Sequence, residues 1–393
     1  MVRYTGRVAK KARAKSADTA GRDEPPPPAR AHPAPTALSS LLGQDHAIKV
    51  MSGAIRSGRV PHAWVFHGPP GVGKFTAALA FASLLLDPEI SIPREGVPTV
   101  DPLSAVQRLL RAGAHPDLHV VDRVSCKYAS DPDVRRLKQT TIPVEVVREF
   151  IVEPCTLAPL VTPGGRAAKV FIVDDGDLLA RSSASQNALL KTLEEPDGRT
   201  VLILTVTAPE RLLPTIRSRS QMVRFGPLRP DDMRRYVGTL GVDLDRATRD
   251  VLTEYAAGSP GEFSAAMADG LVSWHERLAP GVMKSLKGKY VPSLGAEISA
   301  VIEEAVKAGE DADKLESKEA LTRQAARRAF KLIAQVCARE MRETLPRRVE
   351  SGSADGAVRA IESIARAEQM LNSNVQMLFV AEWLSGELAS AGG

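Results

Sequence analysis

Residues 68–74 read Gly68-Pro69-Pro70-Gly71-Val72-Gly73-Lys74, the spacing G-x-x-x-x-G-K. Small residues at these positions let backbone N–H groups wrap phosphates closely. A following helix adds its positive end, and the lysine reaches the terminal phosphates. Gly68, Gly71, Gly73 and Lys74 are therefore the candidate phosphate-binding residues. A catalytic loop of this kind follows its lysine with Ser or Thr, whose hydroxyl ligates Mg²⁺. Here the next residue is Phe75, and Thr76 comes one place later. One step along a helix rotates a side chain by about 100°, so Thr76 is not expected to replace the missing ligand. The reading leaves ATP binding open and does not expect Mg²⁺ to be well held.

A second acidic element follows the apolar run Val170-Phe171-Ile172-Val173. There Asp174 could hold a metal through water and Asp175 could orient an attacking water. Asp175 stands where a glutamate is usual, and a side chain one methylene shorter moves the carboxylate by an amount to which catalysis is sensitive.

These residues need a scaffold with strand ends on one edge. Brief apolar runs at 63–66, 118–121, 170–173 and 201–205 read as buried parallel strands, and 76–86 reads as a helix packed on them. The expected fold is α/β, a parallel sheet flanked by helices, over residues 38–226. Beyond it we expect a small helical lid at 227–270 and an all-helical region at 271–393. Helices are predicted there over 296–307, 318–344 and 357–388. Residues 1–37 read as a disordered tail, with Pro25 to Pro28 in succession.

Bulk composition narrows the function. Apolar residues make up 44 % and charged residues 25 % of the 393, ordinary values for a soluble globular chain. No apolar run is long enough to span a membrane, and the basic N-terminus lacks the apolar segment of a secretory signal. Cys126, Cys155 and Cys337 are widely separated and suggest no disulfide framework, so the expected location is cytoplasmic. Eight Lys/Arg against three carboxylates within 1–37 account for the whole formal charge of +5. The body of the chain is formally neutral, which argues for screened, non-specific attraction to polyanions at most.

The segments Ser185-Gln186-Asn187-Ala188-Leu189-Leu190-Lys191-Thr192-Leu193-Glu194-Glu195-Pro196 and 209–220, ending in Ser218-Arg219-Ser220, resemble the signatures of bacterial clamp-loader ATPases. Gly113-Ala114-His115-Pro116-Asp117 and Asn372-Ser373-Asn374 add to the likeness. The resemblance implies an AAA+ P-loop domain, a lid and a helical collar that joins subunits into a hetero-pentamer. Its partners would be gamma/tau-type and delta-type subunits, the sliding clamp and primer–template DNA of the DNA polymerase III holoenzyme. It also implies that Arg219 acts as an arginine finger in a neighbour's site. Thr207 aligns with the family's sensing residue, although Thr205 is an alternative.

Three departures favour the delta-prime type, a subunit that does not itself hydrolyse ATP: Phe75, Asp175, and Glu262 where the lid usually carries a cation. Residues 87–112 hold no cysteine, so the family's zinc site is not expected. Two other readings stand beside this one, a gamma/tau-type ATPase motor and a DNA-binding protein of the same fold. For DNA, the helix after Arg181-Ser182-Ser183 is the expected phosphate contact, with Ser183 as its cap.

Overall fold

The computed structural model describes residues 32–392 except 138, 162–163, 195–197, 313–316, 351–354 and 371–374. Most of the expected tail, Glu195-Pro196 and the Asn372-Ser373-Asn374 motif lie outside the described residues.

Five parallel strands form one sheet in the order β2-β3-β4-β1-β5. They are β1 (Ala63–His67), β2 (Leu118–Val121), β3 (Lys169–Val173), β4 (Thr200–Val206) and β5 (Gln221–Arg224). In β3 and β4 every residue is buried, because helices cover both faces of the sheet and leave no side for polar alternation. The edge strand β5 was not expected. Only Val223 of its four residues is buried, so it lacks the apolar run that marks its neighbours.

Helix α1 (Asp45–Ser57) precedes β1, and α2 (Lys74–Leu86) follows it. Nearly every residue of α2 is buried, which explains its apolar sequence on all sides. Its Phe81 packs on Trp64 and Phe66 of β1, the three rings lying edge-on or tilted at centroid distances of 4.8–6.5 Å. Further along, α3 (Ser183–Glu194) follows β3 and packs on the opposite face, with Leu189 and Leu193 buried.

The rest is helical: α4 (Pro230–Thr239), α5 (Arg246–Ala256), α6 (Pro260–Ala268), α7 (Leu271–Ser285), α8 (Leu294–Ala312), α9 (Lys318–Glu350), α10 (Asp355–Met370) and α11 (Met377–Gly392). The helix expected over 357–388 is two helices, α10 and α11, packed on each other. Apolar residues continue across the break, Ile364, Val380 and Leu384 buried but Ile361, Leu378 and Phe379 exposed, so periodicity alone does not reveal it. A single core runs from Leu228 and Phe263 through Trp274 and Phe330 to Leu388. The α4–α6 unit and the later helices therefore share their burial, although Gly270 (φ +66°) marks a turn between them.

Candidate functional site

The loop 68–73 connects β1 to α2, and Lys74 is the first residue of that helix. Its tight path depends on glycine. A Cβ on Gly68 (φ +147°) would lie 2.1 Å from the Phe225 carbonyl oxygen, and one on Gly71 (φ +69°) would lie 2.4 Å from Ser259 Oγ. Side chains are excluded at both positions by backbone conformation and by space.

Lys74 does not point into open space. Its Nζ donates to the carbonyl oxygens of Gly68 and Pro69, each at 2.7 Å. Burial holds this ammonium below the usual lysine range, opposed by the carboxylates of Asp177, Asp174 and Asp175. Buried charge is tolerated when hydrogen-bonded, and here the loop's own carbonyls satisfy it.

The acidic pair sits at the C-terminal end of β3, beside the loop. Asp174 Oδ1 accepts from Thr205 Oγ1 at 2.6 Å, and burial raises its pKa. Asp175 has φ +54°, a left-handed conformation uncommon outside glycine and best tolerated by Asn and Asp. Burial, reinforced by the Asp174 carboxylate, raises its pKa to about 6. Asp177, not singled out from sequence, receives N–H bonds from Thr207 at 2.6 Å and Ala208 at 3.1 Å.

Together Gly71, Gly73, Lys74, Phe75, Thr76, Asp174, Asp175, Asp177, Thr205 and Thr207 line a cavity of about 370 Å³. Gly68 is part of the same loop but not of the cavity wall. Of the two candidate sensing threonines, Thr205 bonds Asp174 by its hydroxyl, whereas exposed Thr207 contributes its amide to Asp177. Phe75 also lines a neighbouring cavity of about 540 Å³ with His115, His119 and Phe150.

The first turn of α6 closes over the loop. Gly261 N donates to Gly71 O at 2.8 Å, and Ser259 Oγ donates to Pro70 O at 2.9 Å. Ser259 also caps α6 by accepting from Glu262 N at 3.2 Å. The S-x-x-E pattern 259–262 signals such a helix start, but nothing in the sequence ties it to a loop some 190 residues earlier. Glu262 corrects one expectation. Its carboxylate does not stand beside the phosphate loop but pairs with Lys331 Nζ of α9 at 2.8 Å, and Lys331 also lies over the Tyr255 ring. The α6–loop contact is thus made by backbone and a hydroxyl.

Gln44, likewise not anticipated, is buried and braces the loop. Its Nε2 donates to Val72 O at 3.2 Å and Gly226 O at 2.8 Å.

Arg219 is not brought to this cavity. It ends the short helix Pro214–Arg219, and its Nη2 lies 3.0 Å from Glu194 Oε1 at the end of α3. Its side chain is 39 % exposed. Near the start of α3 the cap is Ser182, whose Oγ accepts from Ser185 N at 3.2 Å; Ser183, the expected cap, is the first helical residue. The helix starts one residue earlier than the sequence reading assumed.

Among the described residues no group of three His, Cys, Asp or Glu could hold a metal ion, and no helix is long and apolar enough to cross a membrane.

With this geometry in hand, comparison with known proteins is specific. The family described as DNA polymerase III, delta subunit, matches residues 43–229. A DNA polymerase III subunit delta' of Pseudomonas aeruginosa is 31 % identical over 240 residues, 60 % of this chain and 65 % of that protein. The subunit delta' of Bacillus subtilis is 31 % identical over 187 residues, 48 % of this chain and 49 % of that protein. A DNA polymerase III subunit gamma/tau of Mycobacterium tuberculosis is 29 % identical over 232 residues, 58 % of this chain but 36 % of that protein. The chain thus spans about a third of the gamma/tau relative's length. A solved gamma subunit-related protein of Thermotoga maritima aligns over 87 % of this chain and 98 % of its own, at 19 % identity and a TM-score of 0.36.

Proposed function

Because the chain belongs to the DNA polymerase III delta/delta-prime family of AAA+ clamp-loader proteins, we propose that it is a delta-prime-type subunit of a clamp loader. In this reading it helps load a sliding clamp on primer–template DNA without hydrolysing ATP itself. The observation that carries the proposal is the closed phosphate loop. Gly261 N bonds Gly71 O at 2.8 Å, and Lys74 is spent on Gly68 O and Pro69 O. In this arrangement Lys74 would have to leave the loop's own carbonyls, Gly68 O and Pro69 O, to reach a phosphate, and α6 lies directly against the loop. Phe75 adds that no hydroxyl follows the lysine for Mg²⁺.

Arg219 has the complementary role. Its guanidinium stands outside its own cavity, is partly exposed, and is held by Glu194. In a ring it would serve a neighbouring gamma/tau-type subunit's ATP, stabilising charge that develops during phosphoryl transfer, an effect worth roughly 10³–10⁵ in rate. The gamma/tau relatives support the alternative of an ATPase motor, and one experiment separates the two.

ATP turnover with Mg²⁺ is measured for the isolated chain and for the complex reconstituted with gamma/tau-type and delta-type subunits. The proposal expects negligible turnover by the isolated chain. It also expects turnover by the complex that falls at least ~10³-fold per site served when Arg219→Ala is incorporated. Arg219→Lys should rescue poorly, since an ammonium lacks the planar fork. Turnover by the isolated chain on the ~1–100 s⁻¹ scale, abolished by Lys74→Ala, would establish the motor reading instead.

A further inference from the structure

The cavity of about 540 Å³ next to the phosphate-loop site has no part in the proposed function. It is walled by Phe75 at the start of α2, by Tyr128 and Phe150, and by the residues of β2. Phe75, His119, Tyr128 and Phe150 are all half-buried, rings that neither join the core nor stand free in solvent. His119 is itself stacked on Phe171, with 4.5 Å between ring centroids. An aromatic groove of this kind suits an extended, apolar occupant.

Two of its polar groups are donors without acceptors. Strand β2 is an edge of the sheet. Asp117 O and Val121 O accept from Val170 N and Asp174 N at 2.9 and 2.8 Å. Alternate residues therefore face β3, and Leu118 and Val120 face the open side. Leu118 N is taken by His115 O at 3.2 Å, whereas Val120 N has no partner among the described residues.

The second donor is His115, whose residue is only 5 % exposed. Asp117 N donates to its Nδ1 at 3.2 Å, so in the neutral ring the hydrogen sits on Nε2. Burial lowers the pKa of the ring and keeps it neutral. That Nε2 is buried and has no partner. An unmade buried hydrogen bond is unfavourable, and an occupant rich in carbonyl oxygens relieves it.

The described residues begin at His32, and both His32 and Pro33 line this groove. The sequence just before them contains Pro25-Pro26-Pro27-Pro28. A proline run has no N–H to satisfy and presents carbonyls only. It favours polyproline II, a conformation that docks on aromatic grooves with little further loss of entropy. At about 3.1 Å per residue four prolines extend about 12 Å, and the four residues of β2 extend about 13 Å. Arg30, between the prolines and His32, complements Asp122 and Asp174 on the groove wall.

We infer that residues 25–28 of the chain's own N-terminal segment dock along β2 in this groove, their carbonyl oxygens accepting from His115 Nε2 and Val120 N. Phe75 then has a task of its own. The ring that leaves the phosphate loop without a Mg²⁺ hydroxyl packs against the prolines instead. Phe75 and Asp174 belong to both cavities, so the docked segment lies directly beside the phosphate-loop site.

The test uses the full chain. Trypsin can cut after Arg30, next to the docked prolines, and after Arg13, well before them. Such cleavage follows the population of the open form. In Pro26→Ser/Pro27→Ser, cutting after Arg30 relative to Arg13 should rise roughly tenfold or more. Exchange of the Val120 amide, read by mass spectrometry, should quicken as well. These substitutions lie outside the described fold and leave it intact. Phe75→Ser should give the same response, because it removes a wall of the groove without touching the prolines. Unchanged cleavage and exchange in the proline variant overturn the inference. A response to the proline substitutions that Phe75→Ser does not reproduce also overturns it, since the segment would then dock elsewhere. Protection that weakens on dilution assigns the groove to the segment of a second copy, and protection that needs added loader subunits assigns it to a partner. Either result overturns docking within one chain.

Discussion

The phosphate-loop cavity and the start of α3, where Arg181 feels the charges of Arg211, Arg323 and Arg327, treat charge in opposite ways. In the cavity Lys74, Asp174 and Asp177 each spend their polar atoms on a neighbour within the chain. At the start of α3 the four guanidiniums stand together with no ion pair among the described residues. Internal pairing stabilises a site and removes its capacity to attract a ligand. Unpaired charge costs stability and keeps that capacity. A phosphate-loop sequence therefore says little about phosphate binding until the partners of its lysine and amides are known.

The largest test of this contrast is Gly71→Ala. The new Cβ would lie 2.4 Å from Ser259 Oγ and 2.9 Å from Glu262 N, at φ +69°. Strain and displacement of α6 together should cost about 2–4 kcal/mol, read from denaturant midpoints. The Gly261 amide should also lose protection in hydrogen exchange. Unchanged protection and stability would mean that α6 does not close the loop in solution.

Asp175→Asn comes next. The pKa of Asp175 is raised by burial and then by Asp174, with Arg123 opposing and Asp122 and Asp177 reinforcing. A carboxyl whose folded value lies near 6 and whose model value is 3.8 binds its proton more tightly when folded. Its stabilising contribution is thus present at low pH and lost as pH rises through about 6. Asparagine tolerates the left-handed backbone and carries no charge. The substitution should raise stability near neutral pH by about 1–2 kcal/mol and flatten the stability curve between about pH 4 and pH 7. A curve of unchanged shape would show that the carboxyl is not held in this environment.

The smallest effect belongs to the arginines near the start of α3. Arg327→Gln relieves repulsion among exposed like charges and should stabilise the free protein by a few tenths of a kcal/mol at low salt, about the size of a surface pair. Salt should erase the gain, since a Debye length of about 10 Å at 0.1 M screens exposed charge. Destabilisation instead would indicate a carboxylate partner for Arg327.

How much of this was legible in the residues differs from element to element. Strands β1 to β4 announced themselves because burial on both faces demands unbroken apolar runs such as Val170-Phe171-Ile172-Val173. Strand β5 did not, because an edge position leaves Gln221 and Arg224 in solvent. The division between α10 and α11 was hidden because apolar residues run on through it, Ile364 and Val380 into the shared core and Ile361 and Phe379 to the surface. Glu262 was read as a neighbour of the phosphates because the resemblance puts a lid cation at its position, whereas its side chain turns toward Lys331.

By itself the sequence determined the phosphate-loop backbone, the loss of the Mg²⁺ hydroxyl at Phe75, the parallel sheet and the resemblance to clamp-loader proteins. These depend on local spacing and on the periodicity of burial, which neighbouring residues carry. Only the tertiary structure decided that Ser259 and Gly261 meet Pro70 and Gly71, that Lys74 turns back on its own loop, and that Arg181, Arg211, Arg323 and Arg327 converge. Each of those outcomes joins segments distant along the chain, or selects among side-chain partners that sequence leaves equivalent. The physical reason is that hydrogen bonds and charges act through space over a few ångströms, and chain order does not record which groups folding brings that close.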